Sequence, residues 1–352
     1  MTKVEYQKEN YLCKNGKINA GDHVRTIILK NAPHVAGFSS TAGKMEGEGP
    51  LAALFDEVEL DPYFGKESWE KAESELMRRT LARALTKARM GEENLDLIFA
   101  GDLQQQCAAS TFALRGQSAS LFGVYGACST MAESLALAAM SVNAGYAEAA
   151  AAVTSSHFST AEREFRTPME YGGQRTPTSQ WTVTGSGAVI LSRDTGSVRV
   201  CAVTPGKIVD AGITDANDMG SAMAPAALDT IMAHLAQTHT SPGDYDLILT
   251  GDLGHFGSEI LCELALREGC DISGVHNDCG KLVFDREVQD VHSGGSGCGC
   301  SASVLCAQIL PEMQRGEMKR VLFCATGALL SPVTTMQGES IPSIACAVEL
   351  RR

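Results

Sequence analysis

Leu95-Asp-Leu-Ile-Phe-Ala-Gly-Asp-Leu103 returns later in the chain as Tyr245-Asp-Leu-Ile-Leu-Thr-Gly-Asp-Leu253, with six of the nine residues identical. Neighbouring segments recur in the same order, as they do when a supersecondary unit has been duplicated. The β-like run Thr26 to Leu29 pairs with Val198 to Val203, and a helix from Glu67 with one from Ala222. Ala149 to Val153 pairs with Val321 to Ala325, and Ala188 to Leu191 with Ala345 to Leu350. These pairings imply two βα-rich halves divided near Gly196: residues 1–195, containing Cys128, and residues 196–352, containing His255 and His292. Each half needs the other to cover one of its apolar faces, so neither is expected to stand alone.

At 352 residues the chain can build two units of the usual domain size, about 100–200 residues each, around a well-buried interior. A net charge of −13 gives no electrostatic footprint for nucleic acid, and an anionic membrane surface would repel it. The opening Met1-Thr-Lys-Val-Glu-Tyr-Gln-Lys-Glu-Asn10 has no apolar stretch of signal-peptide length, so synthesis in the cytoplasm is expected. The most apolar long stretch, Ser134 to Val153, is Ala-rich and interrupted by Asn143, Gly145 and Glu148, so direct membrane insertion is not expected. Twelve cysteines in a chain without a leader read as reduced, mostly buried small hydrophobes. Cys298, Cys300 and Cys306, with Cys270 and Cys279, lack the paired spacing of a zinc knuckle. Neither a metal nor a cofactor is expected.

The stretch Ser39 to Pro50 is rich in glycine and small polar residues and reads as a loop. Lys66 to Met90 places Trp69, Ala72, Leu76, Met77, Leu81, Ala84, Leu85 and Ala88 at helical spacing, which predicts an amphipathic helix stopped by Gly91 and followed by a strand over Leu95 to Phe99. Ala147 to Val153 has strong helix propensity, yet it follows a helix ending near Gly145 and matches the strand-like Val321 to Ala325. Position therefore predicts a buried central strand. Strands alternating with helices in both halves imply a layered α/β architecture.

One segment has the pattern of a reactive site. In Gly126-Ala-Cys128-Ser-Thr130-Met-Ala-Glu133, Thr130 and Glu133 have capping-box spacing, which places Cys128 at or just before a helix N-terminus. Unpaired amides and the helix dipole there would favour a thiolate and a nucleophilic role; the competing reading is a small residue filling a tight turn. His255 follows the second-half strand, where ligand-facing residues of α/β sheets lie. His292 precedes the glycine-rich turn Ser293 to Gly299, which opens a helix over Ser301 to Ile309. Loop histidines are often only solvated, and such a turn can serve backbone freedom alone.

Together the duplicated unit, Cys128, His255 and His292 resemble the thiolase and β-ketoacyl synthase family, and Gly185-Ser-Gly-Ala-Val-Ile-Leu191 resembles the last strand of that family's first half. The resemblance implies two duplicated βα halves in a layered α-β-α-β-α core. It also implies a cysteine that takes an acyl group and two histidines, or a histidine and an asparagine, that polarise the thioester carbonyl, with Cys128, His255 and His292 at those positions. Lys44 to Leu51, Phe64 to Ala72, Cys128 to Leu135 and Arg175-Thr-Pro-Thr-Ser-Gln-Trp-Thr-Val-Thr-Gly185 narrow the likeness to thiolase-like sporulation proteins of endospore formers. That branch implies binding of dipicolinic acid, with or without calcium, and work beside other SpoVA membrane proteins at the spore inner membrane to move it across. It also implies a homodimer, with the Ala149 strand near the contact.

Dipicolinate is a flat aromatic dianion, so its site needs helix N-termini or cations for the carboxylates and apolar walls for the ring. The space over Cys128, His255 and His292 is the candidate, with Arg163, Arg166 and Arg175 as candidate carboxylate partners. The alternatives are an acyltransferase that forms a thioester on Cys128 and a scaffold that docks membrane partners. No basic cluster suited to the phosphates of coenzyme A is evident.

Overall fold

The computed structural model describes residues 24–165 and 175–352, and its ten principal strands form two sets of five with the same order. The first set is β1 (His34–Ala42), β2 (Leu97–Gly101), β3 (Ser120–Gly123), β4 (Ala149–Ser156) and β5 (Gly185–Ser192), hydrogen-bonded as β3-β2-β4-β5-β1. The second is β6 (Arg199–Thr204), β7 (Leu247–Thr250), β8 (His276–Asp278), β9 (Arg320–Ala328) and β10 (Ser343–Arg351), hydrogen-bonded as β8-β7-β9-β10-β6. In each set the first two pairings are parallel and the last two antiparallel. β1 and β6 join the sets through one residue pair, His34 with Arg199. The repeated nonapeptide covers β2 and β7, the second strand of each set.

Helices complete five layers. α1 (Trp69–Ala88) and α2 (Ala108–Leu114) cover the outer face of the first set. α3 (Thr130–Asn143) lies between the two sets and touches β4, β9 and β10. After α4 (Phe158–Phe165), the second half adds α5 (Met219–Thr238) and α6 (Gly254–Arg267) on its outer side. α7 (Cys298–Val304) packs inside against β4, β5 and α3, and continues through a wider turn at Leu305–Ile309 into Leu310–Arg315. The largest core cluster joins α3 and α7 to inward-facing residues of both sets, such as Val189, Leu191, Phe323 and Val348. These side chains exclude water from both layers at once.

α1 forms where its apolar stripe predicts, but its ends have other causes. Ser68 caps the start by accepting from the Lys71 amide, and Arg89, at φ 57°, turns the chain out of the helix before Gly91 is reached. β4 is a strand despite its alanines, and all eight of its residues are buried between β2 and β5. A fully buried β4 has no side chain for a subunit contact. The exposed sheet edge is β3, with Leu121 and Phe122 facing outward.

Two sequence readings are corrected here. The run at Thr26 to Leu29 supplies only Ile27–Ile28, an antiparallel addition to β6. The counterpart of β6 is β1, and it begins before and includes the supposed loop residues Ser39 to Ala42. Their polarity is deceptive because Ser39, Ser40 and Thr41 are fully buried, with Thr41 Oγ1 accepting from Thr80 Oγ1 of α1 at 2.8 Å. Among the described residues no helix is long and apolar enough to cross a membrane.

Candidate functional site

Cys128 lies in the single 3-10 turn Ala127–Ser129 that leads into α3. The expected capping box does not form. Thr130 Oγ1 instead donates back to Ala127 O at 2.6 Å, and Ser129 Oγ approaches Glu133 Oε1 at 2.6 Å. Ala127 adopts φ 52°, a left-handed conformation that an alanine enters at a cost. This bend places Cys128 on the wall of a cavity of about 340 Å³, within the range of small-molecule sites.

The opposite wall comes from the glycine-rich turn. Gly295–Ser296 pairs in parallel with Trp181–Thr182, which sets Ser296 beside Thr182, and both line the cavity. Gly297 at φ 102° then starts α7, and a Cβ there would sit 2.9 Å from Ser156 Oγ. The turn therefore needs glycine for both conformation and space. Leu103, at the end of the first repeat, and Ala161 of α4 add apolar surface. Met219 and the short helix Pro332–Met336 close the remaining side.

Cys128 Sγ lies 4.0 Å from Ser296 Oγ, and Asp252 stands behind them, fully buried at the end of β7. Asp252 accepts from Thr326 Oγ1 at 3.0 Å, from Ser296 Oγ at 3.1 Å and from the Gly297 amide at 2.9 Å. Burial nonetheless pushes its carboxyl up to about 6. Burial, reinforced by the Asp252 charge, also pushes the Cys128 thiol well above its ordinary range. This overturns the expected thiolate: the helix end is present, but the desolvation cost and a neighbouring anion outweigh it.

The other sequence candidates lie elsewhere. His255 lies in the first turn of α6, its amide bonded to Ser293 O at 2.7 Å. Burial and the charges of Arg286 and Lys281 push its imidazole down. His292 faces Asp290, Nε2 to Oδ1 at 3.1 Å, in a groove with Arg286 and Gln289. Neither histidine lines the Cys128 cavity. Arg163 pairs with Glu70 at 2.6 Å over the Trp69 ring, and Arg175 stacks on Trp181 and donates to Asp290 O. Arg166 lies outside the described residues. The structure thus unites Cys128 with Asp252, Ser296 and Thr182, and separates it from the two histidines and from Arg163 and Arg175.

Duplicated five-stranded sets with matching order, and a cysteine leading into an inner helix beneath a cavity, define a thiolase-like protein. Solved structures of the class share the fold. 3-oxoacyl-[acyl-carrier-protein] synthase III from Aquifex aeolicus VF5 aligns with a TM-score of 0.55 at 13% identity, covering 91% of this chain and 100% of that one. An OleA of Xanthomonas campestris aligns with a TM-score of 0.58 at 13% identity, covering 94% and 100%. Within this class the chain belongs to the Stage V sporulation protein AD (SpoVAD) family, which matches residues 23–351. It is 43% identical over 328 residues to Stage V sporulation protein AD of Bacillus subtilis (strain 168), covering 93% of this chain and 97% of that protein.

Proposed function

We propose that this sporulation protein binds dipicolinic acid, with or without calcium, in the cavity over Cys128, and assists its movement across the spore inner membrane without turning it over. One observation carries the reading: a ring-sized cavity persists while Asp252 and Ser296, not histidines, face the cysteine. Acyl transfer from a thioester needs an ionised or base-activated sulfur and donors aimed at the developing oxyanion. Here the sulfur is held neutral, and a carboxylate stands behind it. For a flat ligand the same walls are serviceable: Leu103, Ala161 and Met219 offer apolar contact, and Thr182, Asn217 and Thr335 offer polar groups.

A bulky Leu103→Trp substitution should fill the cavity and lower dipicolinate retention in equilibrium dialysis by at least about tenfold, the equivalent of roughly 1.4 kcal/mol. Unchanged retention would place the ligand elsewhere. The acyltransferase alternative predicts a stable mass increase on Cys128 after exposure to acyl-CoA; we expect intact-protein mass spectrometry to find none.

Membrane association on this reading is peripheral, through other SpoVA membrane proteins. The homodimer is proposed at the β3 edge, where Leu121, Phe122 and the nearby Phe112 and Tyr125 are exposed. Light scattering is expected to give about twice the 37.3 kDa chain mass; a monomer at high concentration would contradict it.

A further inference from the structure

We infer that an anionic ligand entering the Cys128 cavity takes up one proton with it, that Asp252 holds this proton, and that the proton turns the Ser296 hydroxyl from an acceptor into a donor facing the ligand. This rests on the proposed ligand site and adds how that site accepts negative charge.

The argument begins with the direction of the hydrogen bonds. An ionised carboxylate can only accept, and a hydroxyl has one proton to give. Ser296 Oγ gives its proton to Asp252 Oδ2 at 3.1 Å, and Thr326 Oγ1 gives its own to Oδ1 at 3.0 Å. With its proton directed inward, Ser296 presents only lone pairs to the cavity, beside the sulfur of Cys128. Among the described residues, no Lys, Arg or His lines the cavity to offset an incoming anion. The ligand-free floor is therefore built to repel a carboxylate.

Among the described residues, the causes that act on Asp252 include no cation. Asp278 acts on it as a second buried acid from the end of β8. The thiols of Cys128 before α3, Cys279 of the short helix Cys279–Leu282, and Cys298 and Cys300 of α7 are all held neutral by burial. A proton on Asp252 Oδ2 removes the charge and can be donated to Ser296 Oγ, while the Gly297 amide keeps its bond to the same oxygen. Ser296 is then free to direct its own proton at the ligand. No covalent bond is made or broken, and the proton comes from solvent. Burial places the Asp252 carboxyl at about 6, so the protonated form is a minor but accessible species at neutral pH.

The coupling has a measurable size. If only the protonated floor accepts the anion, apparent affinity falls as the protonated fraction falls, by about fifty-fold between pH 6 and pH 8. Near pH 7 about 0.9 proton is taken up per ligand bound. At that pH the carboxylates of dipicolinate are already ionised, so the ligand does not supply this proton.

Calorimetric titration of the full chain with dipicolinate at about pH 7, in two buffers of low and high ionisation enthalpy, counts the protons directly. The expected result is a buffer-dependent enthalpy corresponding to nearly one proton, together with the affinity loss at higher pH. In Asp252→Asn, which cannot titrate, whatever binding is measured should show neither the buffer-dependent enthalpy nor the affinity loss at higher pH. Saturable binding with equal enthalpy in both buffers would overturn the proton coupling and leave the ligand site standing. No saturable heat anywhere from about pH 5 to about pH 8 would overturn both.

Discussion

The reactivity of Cys128 is decided by the side chain behind it. A cysteine leading into a helix is ordinarily a candidate for a lowered pKa, yet this one is 6% exposed and shares its surroundings with the Asp252 carboxyl. Each unit by which a thiol pKa is raised removes about tenfold of its thiolate. Iodoacetamide at about pH 8 should therefore modify Cys128 at least about tenfold more slowly than a free cysteine peptide, and Asp252→Asn should speed it. Peptide mapping of the time course checks both; a rate equal to the free peptide would mean an activated thiol. Asp252 itself is legible in the sequence through the repeat. The repeated Gly-Asp-Leu puts a buried aspartate after the second strand of each set, Asp102 in one and Asp252 in the other. Asp102 is used locally, accepting from the Gln104 and Ser110 amides, whereas Asp252 accepts from Ser296 of the cavity wall. The histidines stand out by their chemistry, but His255, in the first turn of α6, does not line the cavity that the residue three positions earlier supports.

At the scale of elements, α1, β4 and the overall strand order were readable because periodicity and repetition survive burial. β1 was missed because its serines and threonine look like loop residues until their neighbours bury them. The inner contact of α7 with β5 was also hidden, since it depends on absent side chains. A Cβ on Gly187 of β5 would lie 2.2 Å from Ala302 O and 2.4 Å from Ala302 C, both backbone atoms of α7. The helix would have to shift. Gly187→Ala should cost about 1–3 kcal/mol of stability, read from the urea midpoint. It should also weaken ligand binding, because α7 starts at the glycine-rich wall of the cavity. An unchanged midpoint would mean that the layers are less tightly coupled than their packing implies.

At the scale of the whole molecule, several acids are buried without a cation beside them among the described residues. Glu46 is fully buried; one oxygen accepts from the Thr184 amide while the other has no hydrogen-bond partner among the described residues, and burial pushes its carboxyl up to about 7. Burial pushes Glu73 and Asp102 upward as well, and the Asp102 charge adds to the rise at Glu73. A carboxyl whose folded pKa is raised binds more protons in the folded chain than in the unfolded one. Its contribution is present below the unfolded value and is lost as pH rises through the folded value. Thermal stability should accordingly fall as pH rises from about 5 through about 7 and beyond, with Glu46→Gln flattening part of the slope. A melting temperature that rises over this interval would contradict the assignment of these acids. Their placement could not be read from a composition that records only net charge −13.

The central claim is that the cavity over Cys128 holds dipicolinate and leaves it chemically unchanged. A diffraction structure of the protein crystallised with dipicolinate tests this most directly. The account predicts an intact pyridine dicarboxylate between Cys128, Ser296 and Met219, with no covalent density on the sulfur. Ligand seated instead in the His292 groove, or an acyl group bonded to Cys128 Sγ, would contradict it.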